Sequence, residues 1–344
     1  MSGCVCFVGG LLESAEIGRV NEMLATEFTS LVGCRHPIQQ AVMGGISGMH
    51  LAAAVANAGG VGMMHHLGPV ELSERLDWMD ENVDGFWGVG FRADTIEQSM
   101  ERSEIVVDRA PIVEFCWADP STDLVDTIHG GGALAFWQLG SVESARMAAD
   151  AGVDVVVAQG SEAGGHLAGK TPLYPLLEGV LDAVDLPVVA AGGIASGRQV
   201  AAVLAAGASA ARAGTLFVAS VESDASDVYR QALVDADEGE VILTTAFGAE
   251  WPDAPHRVLE RCLKAAEAIS DDPVGIYNDG TEILDIPRFS TRAPTKYSSG
   301  PHEAMAMYAG MGVGSVRTIE SAANTVQRLM DEAERLLTEV PAPT

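Results

Sequence analysis

A glycine-rich stretch that carries one imidazole is the part of the sequence best suited to chemistry. Residues 158–166 read Ala-Gln-Gly-Ser-Glu-Ala-Gly-Gly-His and follow the mostly apolar run Val153–Val157. Such a run is typical of a strand buried on both faces, and the glycines let the next turn approach a ligand closely. Catalytic groups of parallel α/β folds usually lie just beyond such strands. We therefore predict that His166 is catalytic; the alternative is a tight turn with an incidental surface histidine.

Two further glycine-containing turns follow two later apolar runs. Gly192-Gly193 closes the first run, and Gly214-Thr215 closes the second, one unit further along the chain. In (β/α)₈ barrels, the loops after the last two strands commonly bind a phosphate through backbone N–H groups. The chain has only three lysines, so backbone groups are the expected donors. Together the turns predict a phosphate-bearing cofactor with His166 near its reactive end, unless the glycines only close the turns.

The elements that must position these turns alternate regularly between strand and helix. Eight such units occupy about 200 residues, which favours a closed (β/α)₈ TIM barrel. If one unit is counted too many, an open doubly wound sheet remains. The predicted strands are His36–Met43, Val61–Met64, Phe86–Phe91, Ile112–Cys116, Ala133–Gln138, Val153–Gln159, Pro187–Ala191 and Ala210–Ala213.

Four segments are expected along the chain. Residues 1–23 form an N-terminal extension, and residues 24–238 form the barrel. Five prolines interrupt the alternation within residues 239–300, where we expect a small second lobe or lid inserted near the C-terminus, with a helix over His256–Ala268. Residues 301–344 return to the barrel, and apolar residues three and four apart predict an amphipathic helix over 321–337 that packs on it.

Composition excludes several classes of protein. The net charge of −28 argues against nucleic-acid partners, whose phosphates require a basic surface, and against anionic membrane surfaces. No apolar run is long enough to span a bilayer. The five cysteines are odd in number and scattered, which indicates reduced thiols in the cytoplasm. No metal site is predicted, because Cys4-x-Cys6 has no second pair and His65-His66 no nearby acidic partner.

Other candidate residues carry weaker signals. Glu162 would orient His166 or face water. Trp87 and Trp137 are expected in the core, and a Trp at a strand end could line a cofactor. Three residues near the return of the second lobe could meet the substrate: Tyr297, His302 and Tyr308.

Several motifs resemble those of one enzyme family. The stretches concerned are Pro37–Met43, Ala52–Gly60, Gln159–His166, Pro187–Ile194, Ala213–Phe217 and Tyr308–Gly312. They are similar to the nitronate monooxygenases, formerly called 2-nitropropane dioxygenases, whose relatives include the flavin-dependent enoyl-ACP reductases of type II. The resemblance spans about residues 24–337.

The resemblance implies an FMN-bound barrel with a small second lobe. Gln159 would face the flavin ring, and His166 matches the active-site histidine of the family. The implied cofactor contacts are Ala41, Val42, Met43, Gly90, Gln159, Gly164, Gly165, Gly192, Gly193, Gly214 and Thr215, of which the last four would hold the phosphate.

Three positions depart from the family pattern. Val42 stands where the family usually has proline, and Gly90 stands at or near a frequent asparagine that contacts the flavin. Met311 replaces the usual glutamine of the Tyr-Ala-Gly-Gln-Gly stretch. The first two changes alter the expected flavin contacts, and the third weakens any role for Tyr308.

The resulting prediction is an FMN-dependent monooxygenase that oxidises alkyl nitronates or nitroalkanes with O₂. Cationic His166 would stabilise the nitronate, whereas neutral His166 would take a proton from a nitroalkane carbon. One alternative is an NAD(P)H-dependent flavin reductase acting on enoyl-ACP or a quinone. Another is a non-catalytic FMN-binding protein. A homodimer is compatible with each of them.

Overall fold

The computed structural model describes residues 24–65, 69–92, 104–117 and 119–339. The predicted N-terminal extension 1–23 and His66 lie outside the described residues, as do Cys4 and Cys6. The alternation of strand and helix also predicts a helix over Thr95–Arg102, which lies outside them as well.

Within the described residues, eight parallel strands close into a barrel. Ladders join neighbouring strands all the way round, and Ile38 pairs with Ala211 where the last strand meets the first. This closure confirms the (β/α)₈ barrel and excludes the open sheet. The barrel strands are β1 Ile38–Gln40, β2 Val61–His65, β3 Phe86–Arg92, β4 Ile112–Cys116, β5 Leu134–Leu139, β6 Val155–Gln159, β8 Val188–Ala191 and β9 Ala210–Ala213.

The helices follow the barrel strands as the alternation predicts. Several begin at a serine whose hydroxyl accepts a hydrogen bond from the backbone N–H three residues later, as at Ser141, Ser196 and Ser226. Such caps satisfy N–H groups that the first turn leaves free. The helices are Glu27–Val32, Met49–Asn57, Pro69–Asn82, Thr122–Gly130, Val142–Asp150, Leu173–Leu181, Gly197–Ala205, Thr215–Val218, Asp227–Val234, Glu260–Ala268 and Ala322–Glu339.

Two small antiparallel sheets accompany the barrel. One is formed by β7 Gly165–His166, β10 Val241–Thr244 and β11 His256–Leu259, with β11 in the centre. The other is formed by β12 Gly275–Asn278, β13 Ile283–Ile286 and β14 Ser298–Ser299. These sheets agree with a small second lobe near the C-terminus, although the limits of the predicted segments stay a prediction.

One predicted helix begins four residues late. The expected helix His256–Ala268 starts at Glu260, because residues 256–259 pair as β11 with Val241–Thr244 on one side and with Gly165–His166 on the other. Pairing with strands distant in sequence overrides the local helical pattern here.

The apolar core closes one end of the barrel. Phe28, from the helix before β1, packs inside the barrel among residues from the starts of alternate strands, including Val61, Ile112 and Val155. Trp87 and Trp137 are buried in the surrounding core, which confirms the expectation for both. In the described residues the amino ends of the strands are filled by this cluster, which leaves the carboxyl ends as the place for a ligand.

Two further findings concern the sequence predictions. No helix in the described residues is both long and apolar enough to cross a bilayer. Of the cysteines that the structure describes, Cys34, Cys116 and Cys262 are buried free thiols.

Candidate active site

A cavity of about 810 Å³ lies at the carboxyl ends of the barrel strands, within the range of roughly 300–1,000 Å³ typical of ligand sites. All twelve residues that the sequence proposes for the site line this one cavity. They are Ala41, Val42, Met43, Gly90, Gln159, Gly164, Gly165, His166, Gly192, Gly193, Gly214 and Thr215. Their individual roles stay predictions.

Glycine loops form one wall of the cavity. Gly192 and Gly193 have φ values of 122° and 70°, which favour glycine. A Cβ on Gly312 would collide with the carbonyl oxygen of Gly193, so these backbones touch directly. Thr215 Oγ1 accepts a hydrogen bond from Gly310 N–H at 3.0 Å. A wall of close-packed backbone beside the turns after β8 and β9 fits a phosphate bound by N–H groups.

The bottom of the cavity carries a buried polar cluster, here called the floor network: Gln39, Glu114, Gln138 and Arg212. Arg212 lies on β9, and its five N–H groups make five hydrogen bonds to the other three side chains. Arg212 and Glu114 are both almost completely buried and form an ion pair. Because every N–H of the guanidinium is used, Arg212 holds four strands in place and has no donor left for a ligand.

The opposite side of the cavity is aromatic, and we call it the aromatic roof: Trp117, His166, Trp251 and Tyr308. The imidazole of His166 stacks on Trp251 with ring centroids 4.5 Å apart and planes at 20°. Tyr308 lies 5.6 Å from the imidazole, and Trp117 stands perpendicular to it at 6.1 Å. Nε2 of His166 is buried and has no hydrogen-bond partner among the described residues.

His166 is uncharged at neutral pH. Burial, with smaller contributions from the neighbouring His256 and Arg92, lowers the pKa of its imidazole from 6.5 to about 3, because a cation is disfavoured in a poorly solvated site near a positive group such as Arg92. The low pKa therefore favours the neutral role considered for His166 over the cationic one, and its role stays a prediction.

His256 lies behind the roof, 4.9 Å from His166, and its tautomer follows from its partners. Nε2 accepts a hydrogen bond from Phe247 N–H at 3.3 Å, so the proton is on Nδ1, which lies 2.9 Å from the carbonyl oxygen of Ala254. Burial lowers the pKa of His256. With both ring nitrogens bonded to backbone, His256 stays neutral and cannot exchange a proton with His166.

The backbone of the His166 loop is held by a neighbouring amide. Gln159 Nε2 donates to the carbonyl oxygen of His166 at 3.2 Å, and Gln159 Oε1 accepts from Ala168 N–H at 2.8 Å. Glu162 shows no contact that would orient His166, and it is partly exposed. Both of its carboxylate oxygens accept from Leu173 N–H, so Glu162 caps the helix after the loop rather than orienting His166.

Two of the departures from the family pattern contact each other. A Cβ placed on Gly90 would lie 2.8 Å from Cγ1 of Val42, and closer still to Cγ2. The isopropyl group of Val42 therefore occupies the space that a side chain at position 90 would need. The two departures from the family pattern are therefore linked sterically, because Val42 fits only when position 90 is a glycine.

The residues with weaker sequence signals differ in whether they line the cavity. Tyr308 lines the cavity, and its hydroxyl donates to the carbonyl oxygen of Thr291 at 2.8 Å; burial raises its pKa, so the phenol stays protonated. His65 also lines the cavity. Tyr297 and His302 are not among the residues that line it. Within the described residues no group of three His, Cys, Asp or Glu side chains is placed to hold a metal.

Several residues of the site escaped the sequence analysis. Glu114 and Arg212 are lone charges inside strands predicted to be buried, and that pattern could have signalled an ion pair within the barrel. Trp117 and Trp251 gave no signal, because they are 134 residues apart and only the fold brings their rings to 5.2 Å.

A cavity at the carboxyl end of a closed barrel is the arrangement of TIM-barrel enzymes. The nitronate monooxygenase family model matches residues 25–70 and 69–332. The chain belongs to the nitronate monooxygenase family and is an oxidoreductase, which removes the non-catalytic alternative.

Three similar proteins illustrate the range of this group. The first is (3aS,4S,5R,7aS)-5-hydroxy-7a-methyl-1-oxo-octahydro-1H-indene-4-carboxyl-CoA dehydrogenase of Rhodococcus jostii, 34% identical over 70% of this chain and 67% of that protein. The structure of FabK from Thermotoga maritima has a TM-score of 0.78 and 27% identity, covering 92% and 98% of the two chains. Nitroalkane oxidase from Streptomyces ansochromogenes has a TM-score of 0.70 and 28% identity, covering 90% and 99%. Flavin dependence is typical of the group.

Proposed function

We propose that the chain binds FMN in this cavity and oxidises nitroalkanes or alkyl nitronates with O₂. The turns at Gly192-Gly193 and Gly214-Thr215 would hold the phosphate, which fits the close-packed backbone wall and the absence of lysine among the described residues of the lining. When bound, the flavin supplies the redox chemistry, accepting electrons from the substrate and passing them to O₂. The residues of the chain bind and orient the substrate and move its proton.

The observation that carries the proposal is the unpartnered Nε2 of a neutral His166 in the cavity. A neutral imidazole is a general base. Nε2 takes the proton from the carbon next to the nitro group, and the electron pair of that C–H bond moves into the nitro group to give the nitronate. When a nitronate is supplied directly, no proton has to be removed, and His166 can only orient it.

The test compares nitroethane with ethyl nitronate in His166→Asn. We expect kcat/KM for nitroethane to fall by about 100-fold or more, as loss of a general base does, with a smaller loss for ethyl nitronate. Bound FMN, measured by visible absorbance, should stay at the wild-type level. His50→Asn, the same change at an exposed histidine outside the cavity, is the matched control.

Two results would contradict this proposal in different ways. Unchanged nitroethane turnover in His166→Asn would show that the imidazole is not the base. A wild-type flavin that neither substrate bleaches without oxygen would show that the substrate class is wrong.

A second candidate is a flavin-dependent dehydrogenase or reductase acting on an acyl thioester, favoured by the 34% identity to a CoA-ester dehydrogenase. The same base could take a proton next to a thioester carbonyl. The described outer lining of the cavity is less suited to the CoA phosphates, because it carries Glu250, Asp279 and Glu282 against Arg92 and Arg292. Anaerobic bleaching by butyryl-CoA, NADH or NADPH, but not by ethyl nitronate, would favour this candidate.

Two carboxylates of the outer lining, Asp279 and Glu250, stay ionised at neutral pH. Burial raises the pKa of Asp279. Hydrogen bonds from the N–H groups of Glu282 and Thr281 outweigh this effect, so the pKa lies below its usual value. The pKa of Glu250 is likewise lowered, by hydrogen bonds from Ser290 and Thr291 that outweigh its burial. These carboxylates therefore disfavour polyphosphorylated substrates more strongly than a neutral nitroalkane or a nitronate with a single negative charge.

A further inference from the structure

A second polar atom of the aromatic roof is left without a partner. Nε1 of Trp117 is buried and has no hydrogen-bond partner among the described residues, as is the case for Nε2 of His166. An indole N–H can only donate. Buried donors are almost always paired in folded proteins. Five buried side-chain atoms of the described residues lack a partner, among them Nε2 of Gln39 in the floor network, but Trp117 and His166 carry theirs on neighbouring rings of the aromatic roof. Two such atoms together in one cavity lining indicate a ligand that pairs with both.

The backbone of Trp117 supports a functional placement. The residue follows β4 directly, and its φ is 61°, in the left-handed region that bulky side chains rarely adopt. Such a conformation persists only where the surrounding structure imposes it, and it is found most often at functional sites. Here the ring stands perpendicular to Trp251 at 5.2 Å and to His166 at 6.1 Å, so its direction is set by its neighbours.

The two open atoms have complementary chemistry. His166 Nε2 can accept a proton, while Trp117 Nε1–H can donate a hydrogen bond to an oxygen. A molecule that satisfies both has an acidic C–H group and, one or two bonds away, an acceptor oxygen. Nitroalkanes have this arrangement, and negative charge builds up on the nitro oxygens as the carbon loses its proton.

We propose that Trp117 Nε1–H hydrogen-bonds a nitro oxygen of the substrate and thereby determines which carbon acids the enzyme accepts. This inference rests on the proposed function for the identity of the substrate. The bond strengthens as the oxygen becomes anionic, because hydrogen bonds to charged acceptors are stronger than neutral ones. Trp117 thus stabilises the product of the proton transfer to His166, and it disfavours compounds without an acceptor oxygen, which would leave the indole N–H unpaired.

The kinetic test uses FMN-loaded Trp117→Phe, which keeps an aromatic ring and removes the donor. We expect kcat/KM for nitroethane to fall roughly 10- to 100-fold, the range for losing a hydrogen bond to a charged group. The loss should lie mainly in kcat, because the bond is strongest after the proton moves. Trp78→Phe, the same change at a tryptophan outside the cavity, is the matched control, and FMN content and thermal unfolding establish that both variants are folded.

A second measurement does not depend on turnover. In enzyme labelled with ¹⁵N at the indole nitrogens, the resonance missing from Trp117→Phe belongs to Trp117, and we expect it to move downfield when nitroethane is added. The Trp78 resonance should stay in place. A Trp117 resonance that stays in place at saturating nitroethane overturns the proposal, and so does wild-type kcat/KM in Trp117→Phe.

The same two measurements separate this inference from the proposed function. If His166→Asn loses activity while Trp117→Phe does not, the function stands and the role of Trp117 is wrong. If the wild-type enzyme does not oxidise nitroethane but the Trp117 resonance moves, the donor is confirmed and the substrate class is wrong.

Discussion

The two sides of the cavity differ in charge and in how their central groups are paired. In the floor network, a buried guanidinium makes five hydrogen bonds to side chains from three other strands, and its charge is balanced by Glu114. In the aromatic roof, His166 and Trp117 are neutral, and each keeps one buried nitrogen without a partner among the described residues. The floor is charged and its guanidinium is fully hydrogen-bonded, although Nε2 of Gln39 also has no partner among the described residues, whereas the roof is uncharged.

The difference has a physical cause. A buried charge without a counter-charge costs several kcal/mol, so a charged floor is stable only when its ions are paired with each other. A neutral donor or acceptor left open costs only about 1–3 kcal/mol. An unpaired neutral imidazole and indole therefore destabilise the ligand-free fold less than an unpaired buried charge would. The floor stabilises the barrel, and the roof is left available for binding.

The largest expected effect on stability comes from removing the ion pair between Glu114 and Arg212 in the floor network. Glu114→Leu leaves Arg212 buried without its counter-charge, and we expect the free energy of unfolding to fall by about 3–5 kcal/mol. Urea denaturation followed by tryptophan fluorescence measures this loss. Glu114→Leu/Arg212→Met should recover much of it, since an apolar pair of similar volume is often as stable as a buried ion pair. A double variant no more stable than Glu114→Leu would mean that the ion pair is not what that substitution disrupts.

A smaller effect is expected on the cavity wall, where Gly90 meets Val42. Gly90→Ala places a methyl group against the Val42 side chain, and overpacking of this kind costs about 1–3 kcal/mol. Val42→Ala should restore most of the stability in the Gly90→Ala background, giving clear non-additivity between two residues in contact. Additive losses in urea denaturation would show that the two positions are independent.

The smallest expected effect is a change in how the free energy of unfolding depends on pH when His166 in the aromatic roof is replaced. His166 has a pKa of about 3 in the folded chain and near 6.5 when unfolded, so the unfolded chain binds the extra proton between these values. Its contribution to stability is complete above pH 6.5 and is lost as the pH falls towards 3, by about 1.4 kcal/mol per pH unit. Between pH 6.5 and 5, His166→Asn should lose less stability than the wild-type chain, as measured by urea denaturation at each pH. Parallel curves would contradict a neutral buried imidazole.

The barrel and its glycine turns were predictable because the information is local. Each mostly apolar run followed by a helical segment is recognised from a few adjacent residues, and the eighth such strand, Ala210–Ala213, has the predicted limits. The twelve proposed site residues line one cavity because the carboxyl ends of parallel strands meet at one end of the barrel.

Other parts of the site depend on contacts between residues distant in sequence. β11 was taken for the start of a helix, because its strand pairing needs Gly165–His166, about 90 residues earlier. The low pKa of His166 follows from burial beneath Trp251 and beside His256, and neither neighbour could be identified from the loop itself. Only the ion pair of the floor network had a signal in the sequence, namely the charges of Glu114 and Arg212 within otherwise apolar strands.

The sheet that contains β7 can form only late in synthesis, because its other two strands lie C-terminal to the barrel. Gly165–His166 pairs with β11, and Met311 N–H bonds the carbonyl oxygen of Glu162. A nascent polypeptide that has passed the last barrel strand still lacks the segments that clamp the imidazole from outside. The ribosome must therefore add about a hundred more residues before the histidine takes its working position.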